Sequence, residues 1–230
     1  MQTEVYNKEV RLSGENLSDA QLFMILQEVS SEHCSRLGLG MDVLGPKGLI
    51  WVVVRQYVKL ERPLRAGEKL NISTWPGPTR HMMFPRYFVF RDENGDVLLK
   101  GSAVWTLVDA DTRRMVRPEK YGVELQGIVT GEETSLPSAA PKAEPDRSTD
   151  FLVPMEYMDS NRHMNNTRYY EMSEHCMGTE GRSLREAHTD YISEALPGET
   201  IRLSWTEKDG RFYISGENGG PVFRMCLEYF

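Results

Sequence analysis

The pattern of hydrophobic and polar positions predicts one helix followed by several strands in the first half of the chain. Asn16 or Ser18 is placed to cap this helix, which would end near Gly38 or Gly40. Apolar residues three or four positions apart form its hydrophobic face: Leu22, Phe23, Leu26 and Val29. Alternating stretches then predict strands at Leu49–Leu60, Lys69–Trp75, Met82–Arg91 and Val97–Asp109. A helix followed by an antiparallel meander is an α+β unit in which the sheet wraps the helix.

Three short matches recur in the same order in both halves of the chain. Ser31-Glu32-His33-Cys34 returns at residues 173–176, and Ala66-Gly67-Glu68 corresponds to Pro197-Gly198-Glu199. Phe88-Val89-Phe90, which leads to Glu-Asn-Gly, corresponds to Phe212-Tyr213-Ile214. Each match is weak alone, but the shared order indicates a tandem duplication of one structural unit.

The duplication divides the chain into two units joined by a linker. We expect a first unit at residues 1–130, a linker at 131–150 and a second unit at 151–230, because 131–150 contains Pro and small polar residues with almost no large apolar side chain. The second unit has a helix starting near Asn165. Its strands are predicted at Phe151–Tyr157, His188–Glu194, Thr200–Thr206, Arg211–Gly216 and Val222–Tyr229.

The residues before the second helix carry the candidate chemistry. Asp159, Asn161 and His163 alternate, so in an extended segment their side chains would project to one side. A carboxylate, an amide and an imidazole together suit polarising a carbonyl and moving a proton near neutral pH. Asn165 or Asn166 would cap the helix, with its first amides beside His163. On spacing alone, capping and turn roles are the more common explanation of these residue types.

The repeat favours a function specific to the second unit. At the spacing of the Ser-Glu-His-Cys match, the first-unit counterparts of Asp159, Asn161 and His163 are Leu17, Asp19 and Gln21. The entry into the helix therefore does not itself require the three polar residues.

These residues resemble the motif of the fatty acyl-acyl carrier protein (ACP) thioesterases of plants and bacteria. The motif Asp-x-x-x-His-x-Asn-Asn-x-x-Tyr occurs here as Asp159, His163, Asn165, Asn166 and Tyr169. The likeness continues in the first half through Leu49–Arg55, Ser73–Gly77 and Ala103–Asp109. The resemblance implies a tandem double hotdog fold, each unit a long helix wrapped by an antiparallel sheet, with the first unit on the side of the acyl pocket. It also implies that Met24, Leu26 and Val29 line an acyl tunnel.

The resemblance adds Glu194 as a fourth site residue, on the strand after the second helix. The implied reaction is hydrolysis of a fatty acyl-ACP thioester, with Glu194 as general base on a water, with or without His163. Asn161 and the helix amides would hold the thioester oxygen, while Asp159 would orient His163 or bind the same water. Attack by a carboxylate through a mixed anhydride is a second route. Plant relatives commonly carry Cys after the acid, and here that residue is Ala195, so no thiol nucleophile is expected.

Composition and charge limit the partners. The 230-residue chain has a net charge of −7, which disfavours general nucleic-acid binding. No apolar run approaches the roughly 20 residues of a membrane span, and the first residues lack a secretory pattern. Three cysteines without metal or redox spacing suit the cytoplasm, and we expect no cofactor or metal. A monomer and a homodimer are both compatible with the sequence.

An acidic ACP would need a local basic patch on this acidic chain. The candidates are Arg113, Arg114, Arg117 and Lys120, or Arg162, Arg168, Arg182 and Arg185. Scattered solvated charge is the competing interpretation. Two other functions also stay open: an acyl-CoA thioesterase that uses the same four residues, and a non-catalytic acyl-binding hotdog protein.

Overall fold

Ten antiparallel strands form a single sheet in the computed structural model, which describes residues 3–13, 17–159 and 163–230. The first half supplies β1 (Tyr6–Arg11), β2 (Leu49–Leu60), β3 (Lys69–Pro76), β4 (Phe84–Arg91) and β5 (Val97–Asp109). The second half supplies β6 (Arg147–Leu152), β7 (Leu184–Tyr191), β8 (Thr200–Lys208), β9 (Arg211–Glu217) and β10 (Pro221–Tyr229). The helices are α1 (Asp19–Arg36), α2 (Met41–Leu44) and α3 (Arg168–Met177).

The strand order supports the predicted duplication. It runs β1-β3-β4-β5-β2 in the first half and continues β7-β10-β9-β8-β6 in the second, so each half has the same order counted from its own edge. The two halves join where β2 pairs with β7, from Arg55 opposite Asp190 to Lys59 opposite Glu186. Arg55 and Asp190 also form an ion pair across this seam. The α+β prediction is confirmed.

Helix α1 forms as the sequence predicts. Ser18 is its N-cap, and its side chain accepts a hydrogen bond from the amide of Gln21 while the Gln21 side chain accepts one from the amide of Ser18. Asn16, the alternative cap, lies outside the described residues. The predicted apolar face is buried, because Leu26 and Val29 are at most 1% exposed. The helix ends at Arg36, slightly before Gly38.

Helix α3 is shorter than α1 and begins later than expected. Its N-cap is Thr167, so the prediction of Asn165 or Asn166 as the cap is wrong. The Asn165 side chain instead accepts hydrogen bonds from the amide and the hydroxyl of Thr167, at 2.9 and 3.0 Å. The ring of Tyr170 stacks on Phe23 of α1 with 3.8 Å between centroids. The two helices therefore share one core.

Two second-half strands begin earlier than the hydrophobic pattern indicates. Strand β6 covers Arg147–Leu152, whereas the hydrophobic pattern predicts Phe151–Tyr157. The pattern misses its start because the first residues of the strand are polar. The strand ends before Pro154, which lacks an amide hydrogen and precedes a 3-10 turn. Strand β7 begins at Leu184, where charged residues alternate with buried ones. Glu186 of β7 forms an ion pair with Arg211 of β9. The polar residues at the start of β7 therefore reflect pairing across the sheet and do not indicate a loop.

The connection at residues 122–146, all of it described, contains neither helix nor strand and lies against the sheet. The amide of Ile128 donates to the Pro76 carbonyl at 2.9 Å. A side chain at Gly127 would lie 2.0 Å from the carbonyl of Gly77, so glycine is required there. Further along, the amide of Ala140 donates to Asp190 at 3.1 Å. The linker boundaries stay a prediction. No helix of the described chain has the length and apolar character needed to cross a membrane.

A buried carboxyl pair joins the start of α1 to α3. Asp19 is 1% exposed, its amide donates to Glu174 at 3.4 Å, and the Tyr229 hydroxyl donates to its carboxylate at 2.9 Å. Burial is the main cause that raises the pKa of Asp19, and the negative charge of Glu174 raises it further. Burial is also the main cause that raises the pKa of Glu174, with the charges of Glu180 and Glu171 adding to it.

We predict that this pair makes the protein less stable as the pH rises. Because the folded pKa values lie above the unfolded ones, folding takes up protons, and the free energy of unfolding falls from pH near 4 up through neutrality. Asp19→Asn keeps an oxygen that accepts from Tyr229 and removes one titrating group. Urea unfolding across this range should give a flatter pH profile for Asp19→Asn than for wild type. The exposed Asp150→Asn is the control, and an unchanged slope in Asp19→Asn would contradict the assignment.

Candidate functional site

The main chain brings Asp159 and His163 together by antiparallel pairing. Met158 and Met164 form a β-bridge, and the amide of Asp159 donates to the carbonyl of His163 at 3.0 Å. In an extended strand these residues would be about 13 Å apart, whereas Asp159 Oδ2 lies 3.9 Å from His163 Nδ1. The expectation of an extended segment is wrong, but the predicted proximity of these two side chains is observed. Asn161 lies outside the described residues.

The hydrogen bonds of His163 identify its available nitrogen. Nδ1 lies 3.2 Å from the carbonyl oxygen of Met164, which only accepts hydrogen bonds. The neutral ring is therefore protonated at Nδ1, and nearby Asp159 favours the same form. Its Nε2 is buried and has no partner among the described residues. The neutral ring thus keeps one accepting nitrogen that no group of the described residues uses.

Glu194 lies beside the segment that contains His163, but it is not on a strand. It follows the end of β7, so the prediction that a strand carries it is wrong. The amide of Met164 donates to the carbonyl of Ala195 at 2.9 Å, which holds the Glu194 segment against the His163 segment. The Glu194 carboxylate lies 3.4 Å from Arg113, and both side chains are about one-third exposed.

A cavity of about 400 Å³ opens beside Asp159 and His163. Asn165 and Asn166 line it from the second half. The first half contributes aromatic walls from Trp51, Phe84 and Trp105, and one face of α1 formed by Gln27, Ser30, Ser31, Cys34 and Ser35. Glu194 is not among the lining residues. The cavity is therefore built by both halves.

The face of α1 on this cavity is not the one expected from the resemblance. Leu26 and Val29 are buried in the core, and Met24 is 42% exposed. None of these three lines the cavity. The lining face consists of Gln, Ser and Cys residues at helical spacing, a pattern that hydrophobicity alone assigns to a solvated surface.

Two of the amides expected to hold the thioester oxygen already have partners. The amide of Thr167 donates to the Asn165 side chain, and the amide of Arg168 donates to the Asn165 carbonyl at 2.9 Å. Asn165 and Asn166 themselves line the cavity, so their side chains are further candidate donors. From the sequence, both residues belong to the family motif and are candidate caps, with no role at the thioester oxygen.

Comparisons with known proteins agree with this architecture. The family model described as the acyl-ACP thioesterase N-terminal domain matches residues 2–122. The chloroplastic palmitoyl-ACP thioesterase of Arabidopsis thaliana is 29% identical over 159 residues, which cover 63% of this chain and 39% of that protein. The chloroplastic dodecanoyl-ACP hydrolase of Cinnamomum camphora is 27% identical over 233 residues, covering 89% of this chain and 60% of that protein. The chain thus spans less than two-thirds of either relative.

A solved structure shows the same fold over the whole chain. An acyl-ACP thioesterase from Bacteroides thetaiotaomicron superposes with a TM-score of 0.77 at 18% identity and covers 98% of both chains. The predicted tandem hotdog fold is confirmed, with the difference that α3 is ten residues long and α1 eighteen.

We predict that Glu194→Gln leaves stability nearly unchanged. Because its ion pair with Arg113 is partly exposed, the free energy of unfolding should change by less than about 1 kcal/mol. Urea unfolding monitored by circular dichroism measures this change. A larger loss would mean that Glu194 has a structural role, and it would disqualify the variant as a probe of catalysis.

Proposed function

The chain belongs to the acyl-ACP thioesterase family, and we propose that it hydrolyses fatty acyl-ACP thioesters to release free fatty acids in fatty acid biosynthesis. The observation that carries the proposal is the pairing of Asp159 with His163 on the wall of a cavity with aromatic sides. A hydrolase for long acyl thioesters needs a proton-transfer group at the mouth of an apolar pocket.

We assign the acyl chain to the cavity and the reaction to its His163 wall. The apolar sides from Trp51, Phe84 and Trp105 bury methylene groups, which is favourable by roughly 0.8 kcal/mol for each one. The thioester carbonyl would then lie near His163. In this assignment residues 1–130 supply the acyl-pocket side, 131–150 link the units, and 151–230 carry the catalytic residues.

The proposed mechanism is general-base hydrolysis. A water attacks the thioester carbonyl while Glu194, or His163 through Nε2, removes its proton. Asp159 keeps the His163 ring protonated at Nδ1. Asn161 and the cavity-lining Asn166 donate to the thioester oxygen as its negative charge develops. Collapse of the tetrahedral intermediate expels the carrier thiolate, which takes up a proton.

Coenzyme A is the second candidate carrier. The basic residues on the protein surface distinguish docking of ACP from binding of coenzyme A. Two residues of the second candidate patch form ion pairs with neighbours: Arg168 with Glu171, and Arg185 with Glu228. Arg162 lies outside the described residues. Arg117 and Lys120 line an open groove with His81, Met82 and Glu119, and Arg114 is exposed. We therefore propose that ACP docks on Arg114, Arg117 and Lys120.

We propose a cytoplasmic location and a monomer or homodimer. The three cysteines are unpaired, which agrees with a reducing compartment. The β2–β7 seam already joins two hotdog units within one chain, so a second chain is not needed to complete the sheet.

We predict that Glu194→Gln and His163→Ala each lower kcat for acyl-ACP by about a hundredfold or more, because each removes a group that moves the proton. Hydrolysis is measured over a series of acyl chain lengths on ACP and on coenzyme A. Glu180→Gln and His175→Ala remove an exposed carboxylate and an exposed imidazole of the same half and serve as controls.

The outcomes separate the candidate functions. Faster turnover on ACP supports the proposal, and faster turnover on coenzyme A keeps the mechanism and changes the carrier. If folded wild type hydrolyses neither, the non-catalytic acyl-binding function replaces the proposal. Near wild-type turnover in both Glu194→Gln and His163→Ala would contradict the assigned roles.

We also predict that Arg114→Glu with Arg117→Glu raises KM for acyl-ACP about tenfold and leaves KM for a small acyl thioester unchanged, because only the acidic carrier senses the patch. Arg202→Glu with Lys208→Glu, two exposed residues of β8, gives the same change in charge elsewhere. Equal effects of the two pairs, or an equal effect on both substrates, would exclude this docking site.

A further inference from the structure

Arg86 places a buried positive charge on the wall of the cavity. It lies on β4, is 3% exposed, and lines the same cavity as Asp159 and His163. No carboxylate forms an ion pair with it among the described residues. A buried charge without an opposite charge is costly, and proteins rarely keep one without a use for it.

The described contacts leave part of the guanidinium unused. Nη1 donates to the Thr74 hydroxyl at 3.2 Å and to His33 Nδ1 at 3.1 Å, and Nη2 donates to the Cys34 sulfur at 3.3 Å. Burial, followed by the charge of Arg86, lowers the pKa of His33 to about 4, so His33 is neutral and accepts. A guanidinium has five N–H groups. The Nε–H and one N–H of Nη2 therefore have no partner in the described part of the chain.

The cavity that Arg86 lines has polar side chains beside its apolar walls. Gln27 and Ser31 of α1 line the cavity, and so does Trp105. Ser30 lines it as well, but its hydroxyl already donates to the Leu26 carbonyl at 2.6 Å. The indole N–H of Trp105 is buried with no hydrogen-bond partner among the described residues. A plain hydrocarbon chain gains nothing from the unused N–H groups of Arg86, because a buried donor that a methylene covers stays unsatisfied.

We propose that Arg86 makes the cavity selective for acyl chains that carry an oxygen substituent, which accepts hydrogen bonds from its guanidinium. This inference rests on the proposed thioesterase function and deepens it by naming the substrate class. The shared chemistry is an accepting oxygen on the chain, either a hydroxyl or a terminal carboxylate. A terminal carboxylate would also neutralise the buried charge through a charge-assisted pair. Arg86 is thus a specificity-determining residue and does not take part in the proton transfers.

The direct test compares acyl-ACP thioesters of equal chain length. The series contains the unsubstituted chain, chains with a hydroxyl at successive positions, and a chain with a terminal carboxylate. We expect kcat/KM of wild type to be about tenfold or more higher for at least one oxygenated chain, because an unsatisfied buried donor penalises the plain chain. The hydroxyl series and the carboxylate arm distinguish the two sources of the oxygen.

Arg86→Met should remove this preference and raise kcat/KM for the plain chain relative to the oxygenated one. Arg91→Met is the matched control, because Arg91 lies on the same strand and pairs with Glu132 away from the cavity-lining set. Arg91→Met should keep the wild-type preference. A plain chain that is preferred by wild type, or a preference that Arg86→Met retains, would overturn the proposal.

Binding to wild type decides the question if Arg86→Met does not fold or no thioester is hydrolysed. Calorimetry with the free acids of the same series should show at least one oxygenated acid bound about tenfold more tightly than the plain acid. Equal or weaker binding of every oxygenated acid overturns the inference. Absence of hydrolysis with selective binding retained would remove the proposed function and leave the binding preference intact.

Discussion

The antiparallel pairing of β2 with β7 is the contact on which the rest of the structure depends. It joins two five-stranded sheets into one and crosses the seam with the Arg55–Asp190 ion pair. The helices of the two halves also meet, because Phe23 of α1 stacks on Tyr170 of α3. The cavity then receives one wall from each half. A hotdog unit alone would provide only one of these walls.

The two copies differ most in the segment that leads into the helix. When the two copies are aligned on the shared Ser-Glu-His-Cys segment, α1 begins about two helical turns earlier than α3. In the second copy, Asp159 and His163 come before the helix and are held by backbone pairing. Shortening a helix leaves backbone groups that must find other partners, and here they form the bridge that brings the two side chains together.

The fold buries two sets of polar side chains, and burying each set is energetically unfavourable. Asp19 and Glu174 share a site at which two charges are unfavourable, and Tyr229 satisfies one of them with a hydrogen bond. Arg86 lies on the cavity wall with His33, which is neutral because of burial and the neighbouring charge. The Asp19–Glu174 pair stabilises the contact between the halves when it is protonated. Arg86 faces a cavity that a ligand can fill.

The sequence by itself determined most secondary structure, because strands β2 and β5 and helix α1 have strong periodicity and Ser18 provides a local capping signal. It also predicted Asp159 and His163 as site residues, since their chemistry is local. The tertiary structure decided how these two meet, because their contact depends on backbone pairing that has no hydrophobic pattern. It alone placed Arg86 on the cavity, because the spacing along one strand does not show which helix packs over it.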